Sequence, residues 1–79
     1  MELELLLFGV TKEIMGSSPY QIKIEGSTVG DLRSSLLAKY ERLKGLNSLM
    51  IAVNNEYAKD EVIIKGSDEI AIIPPVSGG

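Results

Sequence analysis

The chain of 79 residues contains no cysteine and no histidine. Without cysteine there can be no disulfide, thiolate nucleophile or thiolate metal ligand, which fits a reducing compartment. Without histidine the usual neutral-pH base and the commonest zinc ligand are missing as well. No metal site is expected, nor is stand-alone catalysis, because the remaining acids and bases are scattered carboxylates and lysines that solvate the surface. Basic charge is scarce too. Eight Lys and Arg against eleven Asp and Glu leave a net charge of −3 and a pI near 4.8. Nucleic acid requires a basic patch and is not an expected partner; a protein with a basic face is. No apolar stretch approaches the roughly 20 residues of a membrane span, and Met1-Glu2-Leu3-Glu4 lacks the basic start of a signal peptide. The expectation is therefore no membrane association and a cytoplasmic location.

What is present suits a small folded unit. Apolar residues make up 44% and charged residues 24%, a balance that argues against disorder. At this length one domain is expected over residues 1–79, burying roughly 60 to 65% of the unfolded chain's surface, with no room for a cleft between domains.

Leu3, Leu5 and Leu7 alternate with Glu2, Glu4 and Leu6, the period of a strand with one buried face. By that parity Phe8, the single Phe, lies with the glutamates. It is expected either on the outer face or, after a twist or bulge, over the end of the core. Val10 to Met15 allows a turn or two of helix, stopped by Gly16-Ser17-Ser18-Pro19. Tyr20 to Glu25 alternates again, and this second strand is expected to pair antiparallel with the first.

Ser27 and Thr28 are N-cap candidates, with Asp31 placed to return a bond to the cap. Val29, Leu32, Leu36, Tyr40 and Leu43 then recur at three- and four-residue steps, which predicts one main helix stopping at Gly45 and covering the sheet. Leu49 to Val53 reads as an inner strand before the turn-prone pair Asn54-Asn55, and Val62 to Ile64 as a short strand or bridge. Lys65 to Asp68 is a turn into a last strand, Glu69 to Ile73. Its parity sends Ile70 and Ile72 inward and Ala71 and Ile73 outward. These elements make a mixed sheet with the helix across one face, an α+β roll.

The C-terminal run is where the chemistry is expected. Pro74-Pro75 follows the last strand, and proline cannot donate to a sheet ladder, so the chain must leave the sheet there. Residues 74–79 are expected to form a tail, flexible beyond the prolines, that presents a carboxylate. Gly78 and Gly79 have no Cβ, which makes the tail thin enough for a narrow channel in a partner.

The run Gly66-Ser67-Asp68-Glu69-Ile70-Ala71-Ile72-Ile73-Pro74-Pro75-Val76-Ser77-Gly78-Gly79 closely resembles the small-subunit family of molybdopterin synthase. So do Leu7-Phe8 with Val10 to Gly16, and Ala52-Val53-Asn54. The resemblance spans essentially the whole chain and implies the β-grasp, or ubiquitin-like, fold. It also implies a sulfur carrier of molybdenum cofactor biosynthesis that binds no cofactor alone. In that family a ubiquitin-activating-like adenylyltransferase uses ATP to adenylate the terminal glycine, here Gly79. A sulfur donor protein then supplies the sulfur that makes it a thiocarboxylate. Gly78, Ser77, Val76, Pro75 and Pro74 would follow into the active site of the large synthase subunit, where sulfur passes to precursor Z. Phe8 and Ile73 correspond to positions where the family sets large apolar groups against its partners. Ile73 departs from the aromatic often found there. The family's assembly is a heterotetramer of two small and two large subunits. Three other readings share the fold: a thiamin-pathway sulfur carrier, which is usually shorter and lacks this Pro-Pro approach; a ubiquitin-like protein modifier; and a non-catalytic adaptor.

Overall fold

The computed structural model describes residues 1–45 and 49–74. Strand β1 (Glu2–Leu7) buries Leu3, Leu5 and Leu7 and leaves Glu2 and Glu4 in solvent, as its alternation predicts. A short helix α1 (Val10–Met15) follows. It ends on Gly16, whose φ of 94° is the left-handed cap that glycine adopts without strain. Strand β2 (Tyr20–Lys23) returns antiparallel to β1, with Leu3 opposite Ile22 and Leu5 opposite Tyr20.

Helix α2 (Val29–Lys39) begins with the capping box read from the sequence. The Thr28 hydroxyl accepts the Asp31 N–H at 3.1 Å, and the Asp31 carboxylate accepts the Thr28 N–H at 3.1 Å. The bond from the Thr28 N–H is the largest cause that holds the Asp31 carboxyl below the usual carboxylate range, and the Ser27 N–H, at 3.0 Å, adds to it. Val29, Leu32 and Leu36 are buried against Leu3, Leu5, Ile51, Ile70 and Ile72 of the sheet.

The helix stops one turn earlier than the stripe predicts. Tyr40 is extended at φ −122° and ψ 94°, and Glu41–Gly45 is a separate 3₁₀ turn, so Gly45 does not close the α-helix. Tyr40 and Leu43 are three apart, the 3₁₀ repeat, so a stripe of three- and four-residue steps stays apolar through the change of helix type. Leu43 is still buried, and the Tyr40 ring meets Tyr20 edge-on at 6.0 Å with the two hydroxyls 2.5 Å apart.

Strand β3 (Met50–Val53) and strand β4 (Glu56–Tyr57) form a hairpin that the sequence reading did not include. Its two turn residues, Asn54 and Asn55, both have positive φ (53° and 70°), the tight arrangement that asparagine tolerates. Ile63 makes a single bridge to Thr28, the lesser of the two forms expected for that segment. Strand β5 (Ile70–Ile73) then inserts between β1, to which it is parallel, and β3, to which it is antiparallel. The described sheet has the order β2-β1-β5-β3-β4. The last strand is thus central, and the chain leaves it at Pro74 from the middle of the sheet.

Candidate functional site

The sheet face opposite α2 carries no layer among the described residues, and strand register arranges its side chains in rows. Leu6 lies opposite Ala71, Ala71 opposite Ala52, and Ala52 opposite Tyr57. One step along, Ile73 pairs with Met50. Alanine at the two central positions lowers the floor, and larger residues form the walls. The result is a groove of about 280 Å³ lined by Phe8, Ala52, Asn55, Tyr57, Ala71 and Ile73. Phe8 is 50% and Tyr57 67% exposed, large for aromatic side chains on a small protein.

Acidic groups border this apolar surface. A recess of about 400 Å³ is lined by Glu4, Leu6, Gly66, Ser67, Asp68 and Glu69. Asn54 locks this corner: its side-chain oxygen accepts the Glu69 N–H at 2.9 Å and its amide donates to Asp68 at 3.0 Å. Asp68 also accepts the Lys65 N–H at 2.8 Å. That backbone bond first, and the Asn54 amide second, hold its carboxyl below the usual range, so it is charged at neutral pH. Among the described residues no three acidic groups stand close enough to hold a metal ion.

The end of β1 and the end of β5 meet beside the groove. Gly9 has φ 54° and ψ −133°, and the Thr11 N–H reaches the Phe8 carbonyl at 3.2 Å, the arrangement of a type II′ turn running into α1. Thr11 is fully buried. Its hydroxyl accepts the Phe8 N–H at 3.1 Å, donates to the Phe8 carbonyl at 2.5 Å and stands 3.4 Å from the Ile72 carbonyl. Pro74 lies directly over Gly9.

Of the residues read from the sequence, Phe8 and Ile73 come together as walls of one groove, and Phe8 lies on the outer face rather than over the core. Pro74 sits at their side. Pro75, Val76, Ser77, Gly78 and Gly79 lie outside the described residues. Tyr57, Gly9 and Thr11 were missed. Tyr57 belongs to a two-residue strand too short for periodicity to reveal. A glycine between an apolar strand and a helix-forming run, with threonine two residues on, was the available signal for the turn.

This architecture, a mixed sheet embracing one main helix with its last strand in the middle, is the ubiquitin-like β-grasp. The chain belongs to the ThiS family, whose model matches residues 5–79. It is 37% identical to the molybdopterin synthase sulfur carrier subunit of Arabidopsis thaliana over 81 residues, covering all of this chain and 84% of that protein. Among solved structures it is similar to SAMP1 of Haloferax volcanii, with 28% identity and a TM-score of 0.79 over the whole of both chains. It is also similar to a chain of the complex of subunits 1 and 2 of the molybdopterin-converting factor of Helicobacter pylori. There the identity is 30% and the TM-score 0.65, again over the whole of both chains.

Proposed function

We propose that this chain is a sulfur carrier of molybdenum cofactor biosynthesis, with Gly79 as the residue that is activated. The observation that carries the reading is the delivery of residue 74 from a central strand beside an apolar groove with an acidic recess next to it, in a chain whose relatives bear the carrier's name. In the proposed reaction the Gly79 carboxylate attacks the α-phosphorus of ATP held by an adenylyltransferase, and pyrophosphate leaves. A sulfide equivalent from a sulfur donor protein then adds to the acyl-adenylate, and AMP departs. The product is a thiocarboxylate. A carboxylate resists nucleophiles until its charge is masked by such a leaving group, so nucleotide, metal and positioning come from the enzyme. This chain supplies the end of a tail and a docking face. It is not a catalyst alone, and it binds no cofactor alone.

Phe8 and Ile73 are the proposed apolar contacts with the large synthase subunit, and residues 74–78 are the proposed thread into its active site. Proline at 74 and 75 lowers the ordering cost of threading, and glycine at 78 leaves clearance at the reactive carbonyl. The Helicobacter pylori complex of subunits 1 and 2 supports a large-subunit partner. A heterotetramer and a cytoplasmic location complete the proposal. Among the described residues no helix is long and apolar enough to cross a membrane.

The test is intact-mass spectrometry of the full chain after incubation with ATP, sulfide and its adenylating enzyme. One oxygen exchanged for sulfur at Gly79 supports the carrier; an unchanged terminus, with the enzyme active on another carrier, favours a β-grasp adaptor. A second reading is a protein modifier, favoured by the similarity to the small archaeal modifier protein SAMP1. It predicts an isopeptide bond from Gly79 to a target lysine. Transfer of the sulfur to a thiazole precursor instead of a pterin would indicate the thiamin-pathway carrier.

A further inference from the structure

We propose that the Phe8–Thr11 turn is a positioning seat for the tail, with Gly9 and Thr11 setting the direction in which the chain leaves β5; this rests on the carrier reading. Two separate features favour glycine at position 9. Its positive φ, as the first central residue of a type II′ turn, strains any L-residue. Independently, a Cβ built there stands 3.2 Å from the Pro74 Cγ, inside ordinary contact distance, so the ring would have to shift by a few tenths of an ångström. The turn and the tail root are therefore packed with no slack between them.

Thr11 joins the same unit from below. Its hydroxyl closes the turn on both backbone groups of Phe8 and lies 3.4 Å from the Ile72 carbonyl, two residues before Pro74. The hydroxyl hydrogen goes mainly to the Phe8 carbonyl at 2.5 Å, and the Ile72 carbonyl at 3.4 Å is its longer, weaker acceptor. One buried side chain thus ties the groove residue Phe8 to the strand that delivers the tail. The docking face and the root of the tail at Pro74 are fixed relative to each other. A partner that grips the groove finds residue 74 already placed beside it, which reduces the search left to the residues that follow.

The prediction concerns kcat more than KM. Docking through Phe8 and Ile73 survives a misdirected tail, whereas presentation of the carboxylate does not. For adenylation of the full chain, Gly9→Ala is expected to lower kcat about tenfold, less than the hundredfold loss of a 1 Å misplacement, with KM within about twofold. Turn strain alone would act equally whatever occupies position 74. In a Pro74→Ala background, which removes Cγ, the same substitution is expected to lower kcat by less than about twofold, the signature of a coupled pair. Thr11→Val and Thr11→Ser form the second pair, in case Gly9→Ala does not fold. Val is expected to lower kcat and Ser, which keeps the hydroxyl, to restore it. Equal kcat for Gly9→Ala and wild type, or an undiminished effect in the Pro74→Ala background, would overturn the seat and leave the carrier reading standing. Failure of the wild-type chain itself to be adenylated, by an enzyme active on another carrier, would overturn both.

Discussion

Phe8→Ala is expected to separate binding from stability, and its neighbour Leu7→Ala supplies the contrast. Leu7 is 4% exposed and belongs to the core, so its truncation should cost about 2 to 5 kcal/mol. Phe8, one residue along the same backbone, is 50% exposed. Full burial of such a side chain is worth about 1.5 to 3 kcal/mol, so roughly half of that, about 0.7 to 1.5 kcal/mol, is still available for a partner to gain. The loss on Phe8→Ala corresponds to about a three- to tenfold rise in Kd for the large-subunit partner or the adenylating enzyme. The remaining half is what the free fold can lose, about 1 kcal/mol. Urea denaturation followed by circular dichroism measures one quantity, and titration calorimetry with the partner measures the other. The reasoning is refuted if Phe8→Ala destabilises the chain as much as Leu7→Ala, or if partner affinity is unchanged in a folded Phe8→Ala chain.

Asn54→Ala is expected to destabilise by about 2 to 3 kcal/mol, from two lost side-chain bonds and an unfavourable positive φ. Asn54→Gly, which restores the backbone freedom, should recover about 1 kcal/mol; identical urea midpoints for the two would remove the φ argument. Acid should weaken the fold through Asp31 and Asp68. Both carboxyls lie below their ordinary value when folded, so their stabilisation is complete above the unfolded pKa of about 3.9 and is lost as pH falls through the lower folded values. A pH series of urea midpoints on Asp31→Asn should show a shallower acid decline than wild type, and an unchanged slope would count against the capping-box account. Gly78→Val should leave the melting temperature untouched and block adenylation, because bulk beside the reactive carbonyl obstructs a narrow channel. Normal adenylation of that variant would count against the channel.

The parity of β1 and β5, the Thr28–Asp31 cap and the two-residue asparagine turn were legible because each depends on neighbours within a few positions. A buried face imposes period two, a cap needs an oxygen three residues from an amide, and Asn tolerates positive φ. The early end of α2 was not legible. A step of three serves both α and 3₁₀ geometry, and Tyr40 leaves the helix where it meets Tyr20 from a different strand. The two-residue β4 escaped for lack of length. Only its pairing with β3 makes Glu56–Tyr57 a strand.

The sequence by itself determined which residues face inward, where the main helix begins, and that the chain must quit its sheet at the Pro74-Pro75 pair. Proline and alternating leucines enforce those outcomes locally, whatever the rest of the molecule does. Tertiary structure alone decided that β5 sits in the middle of the sheet, that Phe8, Tyr57 and Ile73 share one groove, and that Pro74 rests on Gly9. These residues are separated by up to 65 positions, and nothing along the chain brings residue 9 to residue 74. Parallel pairing of β1 with β5 does, because strands that run the same way in register have their C-terminal ends side by side.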